Sequence, residues 1–382
     1  MRLAMVAGEA SGDLLAEPLL ARLRQRWPQL DAFGIGGPRM RAQGFQAWWG
    51  SDALAVRGYV EVLRHYRGIR AIREQLAARL LREPPRVFVG VDAPDFNLGL
   101  EARLRKGGIR TVHFVCPSIW AWRGGRVKKL AAACDHVLCL FPFEPELLRA
   151  HGVGASYVGH PLADVIPLQP PRAAARAALG FAAEEPLVAL LPGSRASEIE
   201  YNAAAFLQAA ALMHARRPEL RFVLPVAPGL RGAIDALVSQ HAQQAQQGRA
   251  LPLTVTDGRS HEALAACDVT LIASGTATLE AALFGRPMVI GYRMHPLSYQ
   301  LMKRMAYQPW VGLPNILCRD FVVPELLQQA CTPAALAQAT LAWLDQPARA
   351  DVVRARFVEL HQLLRRDTAR LATDAIEEVL AR

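Results

Sequence analysis

Two α/β domains, each built on a parallel sheet, are what the sequence predicts, and three observations carry that expectation. Short apolar runs of strand length alternate with helical stretches through both halves of the chain, the rhythm of βαβ units. A proline-rich segment, Gly159 to Pro171, interrupts that rhythm as a linker would. At 382 residues the chain is also too long for one ordinary α/β layer. With 52% hydrophobic and 20% charged residues it is globular rather than disordered.

The first half opens with a strand, Leu3–Ala7, a turn through Gly8-Glu9-Ala10-Ser11-Gly12-Asp13, and a helix, Leu14–Trp27. Ala32–Ile35 reads as the next strand. No glycine triplet of the dinucleotide-binding spacing follows the first strand. From Gly58 to Arg82, Val60, Leu63, Tyr66, Ile69, Ile72, Leu76 and Leu80 recur at helical spacing, with a break expected at Gly68. Arg64, Arg67, Arg70 and Arg73 make a basic stripe beside them. That combination suits an anionic bilayer surface, and equally a core helix with a solvated face. Arg86–Val91 is a buried strand that delivers Asp92, at the strand end where open α/β sheets place ligands. Asp95 is better suited to cap the helix Phe96–Lys106. Thr111–Cys116 is a strand, and the loop after it carries Trp120, Trp122 and Arg123, either a ligand wall or plain packing. Val137–Leu140, a helix Glu144–Ala150 and Ser156–Val158 complete this half. His160 is expected to fix the following turn rather than act as a base.

The second half repeats the rhythm. Leu187–Leu191 is an unbroken apolar run, followed by Pro192, Gly193, Ser194, Arg195 and a helix over Ala203–Ala215. Such a strand, small-residue turn and helix start offers free backbone N–H groups and a positive dipole end to an anion. Arg195 adds a guanidinium that can grip a phosphate with two hydrogen bonds. Strands follow at Arg221–Val226, Leu253–Thr256, Val269–Ala273 and Pro287–Gly291. After Val269–Ala273 comes a second such turn, Ser274-Gly275-Thr276, and Glu280 lies one helical turn on. Two anion-ready turns with a carboxylate suited to vicinal hydroxyls read as a nucleotide site. Asn315 is a further polar candidate beside it. A long last helix, Ala350–Leu380, could cross back over the first domain.

The charge of +10 permits a nucleic acid, an acidic membrane surface or a phosphorylated substrate as partner. The six Cys form no CxxC pair and read as small buried hydrophobes, not metal ligands. The first apolar stretch is too short for a signal peptide and no run is long enough to span a membrane, so a cytosolic protein is expected.

Longer motifs narrow the reading. AGEASGD at Ala7–Asp13, DAPDFN at Asp92–Asn97 and PSIWAWR at Pro117–Arg123 resemble the lipid-A-disaccharide synthase family. So do GHP at Gly159–Pro161, LPGSR at Leu191–Arg195, SGTATLE at Ser274–Glu280 and LPNIL at Leu313–Leu317. The resemblance covers almost the whole chain and implies a GT-B glycosyltransferase, two Rossmann-like domains facing a cleft. It divides the chain into an acceptor and membrane-facing domain (1–165), a UDP-sugar domain (166–345) and a returning C-terminal segment (346–382). The implied reaction moves 2,3-diacylglucosamine from UDP-2,3-diacylglucosamine to 2,3-diacylglucosamine 1-phosphate, giving a β-1,6-linked disaccharide 1-phosphate and UDP. It inverts the anomeric carbon, uses neither metal nor cofactor, and runs at the inner face of the cytoplasmic membrane.

By the same resemblance the family's essential Asp and Glu fall on Asp92 and Glu9, and its nucleotide-site residues on Arg195, Glu280 and Asn315. Ser194, Ser274, Gly275 and Thr276 complete the nucleotide set. Trp120, Trp122, Arg123, Arg64, Arg67 and Arg70 become candidates for the acceptor and lipid. A homodimer exchanging C-terminal segments is implied, and nucleic acid is not. Single-displacement inversion needs one base, Asp92, with Glu9 its rival. Two other classes compete: another GT-B UDP-sugar enzyme (a peptidoglycan glycosyltransferase or a UDP-sugar epimerase), and a non-enzymatic nucleotide- or lipid-binding protein.

Overall fold

The structure, a computed structural model, describes residues 1–8, 10–54, 59–121, 124–244, 251–305 and 307–382, leaving aside the side chains of 10, 59–66 and 244. The chain forms two compact units. One joins Met1–Asp164 to Leu364–Arg382, and the other is Val165–Leu363.

The first unit has seven parallel strands: β1 (Arg2–Ala7), β2 (Asp31–Gly36), β3 (Gln46–Gly50), β4 (Val87–Val91), β5 (Arg110–Phe114), β6 (His136–Cys139) and β7 (Ala155–Tyr157). Their order is β3-β2-β1-β4-β5-β6-β7, so the direction of winding reverses between β1 and β4, which pair in parallel from Leu3 with Val87 to Ala7 with Val91. Both are buried from end to end but for Arg2, as sheet strands covered by helices on both faces must be. Helices Tyr59–Arg82 and Pro94–Lys106 cover one region through Leu76, Leu80, Leu100 and Leu104 against Phe33 and Phe88. The expected break at Gly68 is absent, and the helix runs through that exposed position because the turns beyond it are anchored in the core. Between the sheet and its covering helices, the buried carboxylate of Glu101 meets His113 Nδ1 at 2.8 Å and accepts from Cys134 Sγ at 3.3 Å.

The second unit has six parallel strands: β8 (Leu187–Leu191), β9 (Arg221–Val226), β10 (Leu253–Asp257), β11 (Val269–Ile272), β12 (Met288–Tyr292) and β13 (Glu325–Leu327). The order β10-β9-β8-β11-β12-β13 places its reversal between β8 and β11. Strands β3 and β13 were not expected, since neither carries the apolar run that marks a buried strand, and their residues are mostly half-buried.

The last helix is two helices, Pro347–Leu364 and Thr368–Ala381, not one. Residues 365–367 turn the chain, with Asp367 left-handed at φ 56°. Asp164 receives that turn: its carboxylate accepts from the backbone N–H of Arg366 (3.1 Å), Asp367 (3.0 Å) and Thr368 (2.7 Å). His160 N–H donates to Leu364 O at 2.9 Å. Gly159, at φ +85°, must be glycine, because a Cβ there would lie 2.6 Å from Leu364 O. A cap supplied two hundred residues away in sequence is what a reading of local helix periodicity cannot see. Thr368–Ala381 then packs on the helix Ala10–Arg26, where Arg26 pairs with Asp374 and Glu377. Among the described residues no helix is long and apolar enough to cross a membrane.

Candidate active site

PSIWAWR, GHP and LPNIL follow β5, β7 and β12. In each unit the other two motifs, AGEASGD and DAPDFN in the first and LPGSR and SGTATLE in the second, fall at the carboxyl ends of the two strands flanking the reversal. In open α/β sheets that is where the loops part and leave a crevice for ligands.

In the second unit, β8 runs into Pro192 and Gly193. Gly193 has φ +137°, and a Cβ there would sit 2.4 Å from the Cβ of Glu198, so only glycine lets the loop close on the helix Ala196–Arg216. The N–H groups of Ser194 and Arg195, expected to lie open to an anion, are already taken. Glu198 Oε2 accepts both, at 2.8 and 3.2 Å, while Oε1 holds Arg195 Nη1 at 3.2 Å. This is a capping arrangement in which the residue three positions into the helix reaches back. What it leaves for a ligand is the Arg195 guanidinium, 69% exposed and tethered by that carboxylate. Glu198 was missed as a site residue, although its spacing from Arg195 is the one signal that could have found it.

Across the reversal, Ser274, Gly275 and Thr276 lead from β11 into the helix Thr276–Leu283, and Gly275 and Thr276 are exposed. The buried Thr278 hydroxyl donates to Gly275 O at 2.8 Å and accepts from Leu313 N–H at 3.3 Å, fixing this turn to the next loop. Glu280 is half-buried, with His261 Nε2 3.4 Å from its carboxylate, a neighbour no motif announced. Asn315 is 0% exposed, and its side chain is held inside the fold: Nδ2 donates to Val323 O (2.9 Å) and Glu325 Oε1 (2.8 Å), and Oδ1 accepts from Val323 N–H (3.0 Å). The LPNIL motif therefore stiffens this unit from within. Glu325, held also by Gly312 N–H at 2.9 Å, has its carboxyl pushed up by burial.

In the first unit, Asp92 and Ala93 are successive left-handed residues, at φ 50° and 43°. They turn the chain sharply at the end of β4. Asp92 N–H donates to Phe114 O at 2.8 Å and Asp92 O accepts from the buried Asn97 Nδ2 at 2.8 Å, so its backbone is fixed from both sides while the residue stays half-exposed. One strand over, Val115 has φ 85°, a strained conformation for a β-branched residue. Strain collected at adjacent strand ends is a mark of a working site. Glu9 lies outside the described residues, but its neighbour Gly8 lies against this turn: a Cβ on Gly8 would meet Ala93 Cβ at 3.4 Å. Asp13, buried in the first turn of the helix Ala10–Arg26, accepts from the N–H of Gly37, Arg39 and Met40, and so locks that helix start to the helix start after β2.

Asp95 does not cap a helix. The helix begins at Pro94, which puts Asp95 inside the first turn, where its exposed carboxylate pairs with Arg126 Nη2 at 2.6 Å. Trp120 is anchored within its own unit: its indole N–H donates to Glu144 Oε1 at 2.9 Å, and its ring meets Phe141 and Phe143 edge-on at 6.0 and 5.4 Å. Glu144 is 1% exposed and also accepts from Phe141 N–H, and burial pushes its carboxyl up to about 8. His160 stacks on Phe141, accepts from Leu162 N–H at 3.2 Å, and is pushed down to about 4 by burial, so it serves the turn as a neutral ring. Trp122, Arg123 and the side chain of Arg64 lie outside the described residues, while Arg67 and Arg70 are exposed.

The profile of the family described as lipid-A-disaccharide synthetase matches residues 3–379. The chain belongs to that family. A lipid-A-disaccharide synthase of Albidiferax ferrireducens is 59% identical to it, covering 100% of this chain and 97% of the relative. One of Verminephrobacter eiseniae is 58% identical, covering 100% and 98%. As a lipid-A-disaccharide synthase family member the chain is a glycosyltransferase. Its fold resembles the glycotransferase of kitacinnamycin (TM-score 0.63, 16% identity, 99% of this chain and 98% of that one). It also resembles UDP-GlcNAc 2-epimerase from Neisseria meningitidis bound to UDP-GlcNAc (TM-score 0.66, 10% identity, 99% and 100%). At such identities the likeness speaks for the GT-B fold alone.

Proposed function

We propose that this lipid-A-disaccharide synthase family member transfers 2,3-diacylglucosamine from UDP-2,3-diacylglucosamine to the 6-hydroxyl of 2,3-diacylglucosamine 1-phosphate. The acceptor oxygen attacks the anomeric carbon, the bond from that carbon to the diphosphate breaks, and UDP leaves with the electron pair. Asp92 takes the hydroxyl proton. Glu9 orients the acceptor or Asp92. The observation that carries this reading is Asp92 itself, a half-exposed residue held by a strained turn at the reversal of the first sheet.

The second unit holds the donor. Arg195, steered by Glu198, meets the charge that grows on the departing diphosphate, and Ser274, Gly275 and Thr276 approach the same group. Glu280 accepts from the ribose hydroxyls, with His261 limiting its freedom. Ser194 closes the phosphate side. The exposed Arg67 and Arg70, with Arg64 on the same helix, draw the first unit to the anionic inner face of the cytoplasmic membrane, and Trp122 and Arg123 border the acceptor. A homodimer formed by exchange of the C-terminal segment belongs to the same reading and is tested by sedimentation.

The deciding experiment is UDP release from UDP-2,3-diacylglucosamine in EDTA, with and without the acceptor. Acceptor-dependent release is expected. Release without acceptor would make the protein a hydrolase, and no release from this donor would end the proposal.

A further inference from the structure

The helix Pro296–Met305 leaves every one of its residues at least partly exposed, and Leu297 and Leu301 are 75% and 59% exposed. Residues four apart share a helix face, so the two leucines stand together, with Arg304 three positions further along the same face and Lys303 beside it. Both basic residues are exposed. Along the chain between Glu280 and Asp320 there is no Asp or Glu; of the basic residues in that stretch Lys303, Arg304 and Arg319 are exposed, while Arg286 and Arg293 are turned inward onto backbone carbonyls.

An apolar face with basic side chains around it and no acid in its stretch of chain has a defined complement. A second copy of the same face would bring like charges together, which disfavours self-association there. An anionic phospholipid bilayer supplies both phosphate for the cations and hydrocarbon for the leucines. We propose that Pro296–Met305 is a bilayer-contact helix: Leu297 and Leu301 enter the acyl boundary, and Lys303 and Arg304 reach the lipid phosphates. This is a lipid contact on the second unit, separate from the basic stripe of the first, and it rests on the lipid-substrate reading only in choosing a bilayer as occupant.

The test uses the full chain and sedimentation with phosphatidylglycerol-containing vesicles against vesicles of phosphatidylcholine alone. Leu297→Ser/Leu301→Ser and, as a variant at surface charges only, Lys303→Gln/Arg304→Gln are each checked for fold by circular dichroism. Both are expected to bind anionic vesicles about tenfold more weakly than the parent, with turnover on detergent-dispersed substrates unchanged. Parent-like vesicle binding by either folded variant, or equal binding of the parent to both vesicle types, overturns the proposal. Loss of turnover in detergent assigns the face to substrate acyl chains instead, and a changed sedimentation coefficient without lipid assigns it to a second copy. Failure of the parent to release UDP would sink the transferase reading and leave the vesicle result standing, so the two are separable.

Discussion

At the scale of single residues, the site divides into groups left accessible and groups that hold them there. Asp92 is half-exposed, and among the described residues none uses its carboxylate as a cap. Asp92→Asn is therefore expected to lower turnover by about 10²–10⁴-fold, the range typical of losing a general base, with UDP affinity nearly unchanged by calorimetry. Collapse of UDP binding would make Asp92 structural instead. Arg195 and Glu198 separate in the opposite way. Arg195→Ala should weaken UDP binding and leave the melting temperature where it was. Glu198→Ala should weaken UDP and also cost about 1–2 kcal/mol of stability, because two backbone N–H groups lose their acceptor. Equal melting temperatures for the two variants would contradict that division.

Glu144 carries a pH prediction. Its carboxyl sits at about 8 in the folded protein against an ordinary 4.5, because it is buried. Between those values the unfolded chain gives up the proton and the folded chain keeps it, so stability falls as pH rises through that window. His160 and His136, each pushed down to about 4 from 6.5 by burial, act in the other direction, and their contribution is lost as pH falls from 6.5 towards 4. Glu144→Gln keeps an oxygen acceptor for Trp120 and cannot ionise. Its melting temperature should gain on the parent steadily from pH 5 to pH 8, and a constant difference would mean that Glu144 does not titrate there.

At the scale of elements, the sequence was most legible where burial on both faces left a strand no choice. Leu187–Leu191, Arg221–Val226 and Val87–Val91 announce themselves as apolar runs, and the glycine and proline turns after them mark where they stop. Short edge strands such as Gln46–Gly50 do not, because half their residues face outward and the pattern dissolves. Candidate site residues were legible by type and not by orientation. Arg195 and Asp92 stand accessible, whereas the amide of Asn315 is turned inward onto Val323 and Glu325. Partnerships such as Glu198 with its own turn, or Glu144 with Trp120, depend on rotamers and on chain segments meeting in space. The three-donor cap at Asp164 is of this kind. Asp164→Ala is expected to destabilise the start of Thr368–Ala381 by about 1 kcal/mol or more, seen as faster amide exchange at Arg366, Asp367 and Thr368. Unchanged exchange there would remove the cap from the account of why the last helix turns.

At the scale of the molecule, the two sheets repeat one plan, a reversal flanked by two turns, and load it with different chemistry. The second unit presents a cation and small residues and the first presents a carboxylate, a division expected if one unit holds a nucleotide and the other an acceptor. UDP alone should then slow amide exchange around Leu191–Glu198 and Ser274–Glu280 and leave Val91–Asn97 as it was. Protection spread evenly over both units would contradict the division.

The first unit is built from both ends of the chain, with the whole of Val165–Leu363 inserted between its parts. During synthesis the face of Ala10–Arg26 that receives Thr368–Ala381 emerges early and must wait for its covering. At about 5–20 residues per second, the inserted stretch alone imposes a delay of roughly 10–40 seconds. The middle of the protein can therefore finish folding while the beginning stays unsealed until Thr368–Ala381 has emerged, and any chaperone this protein needs would be needed there.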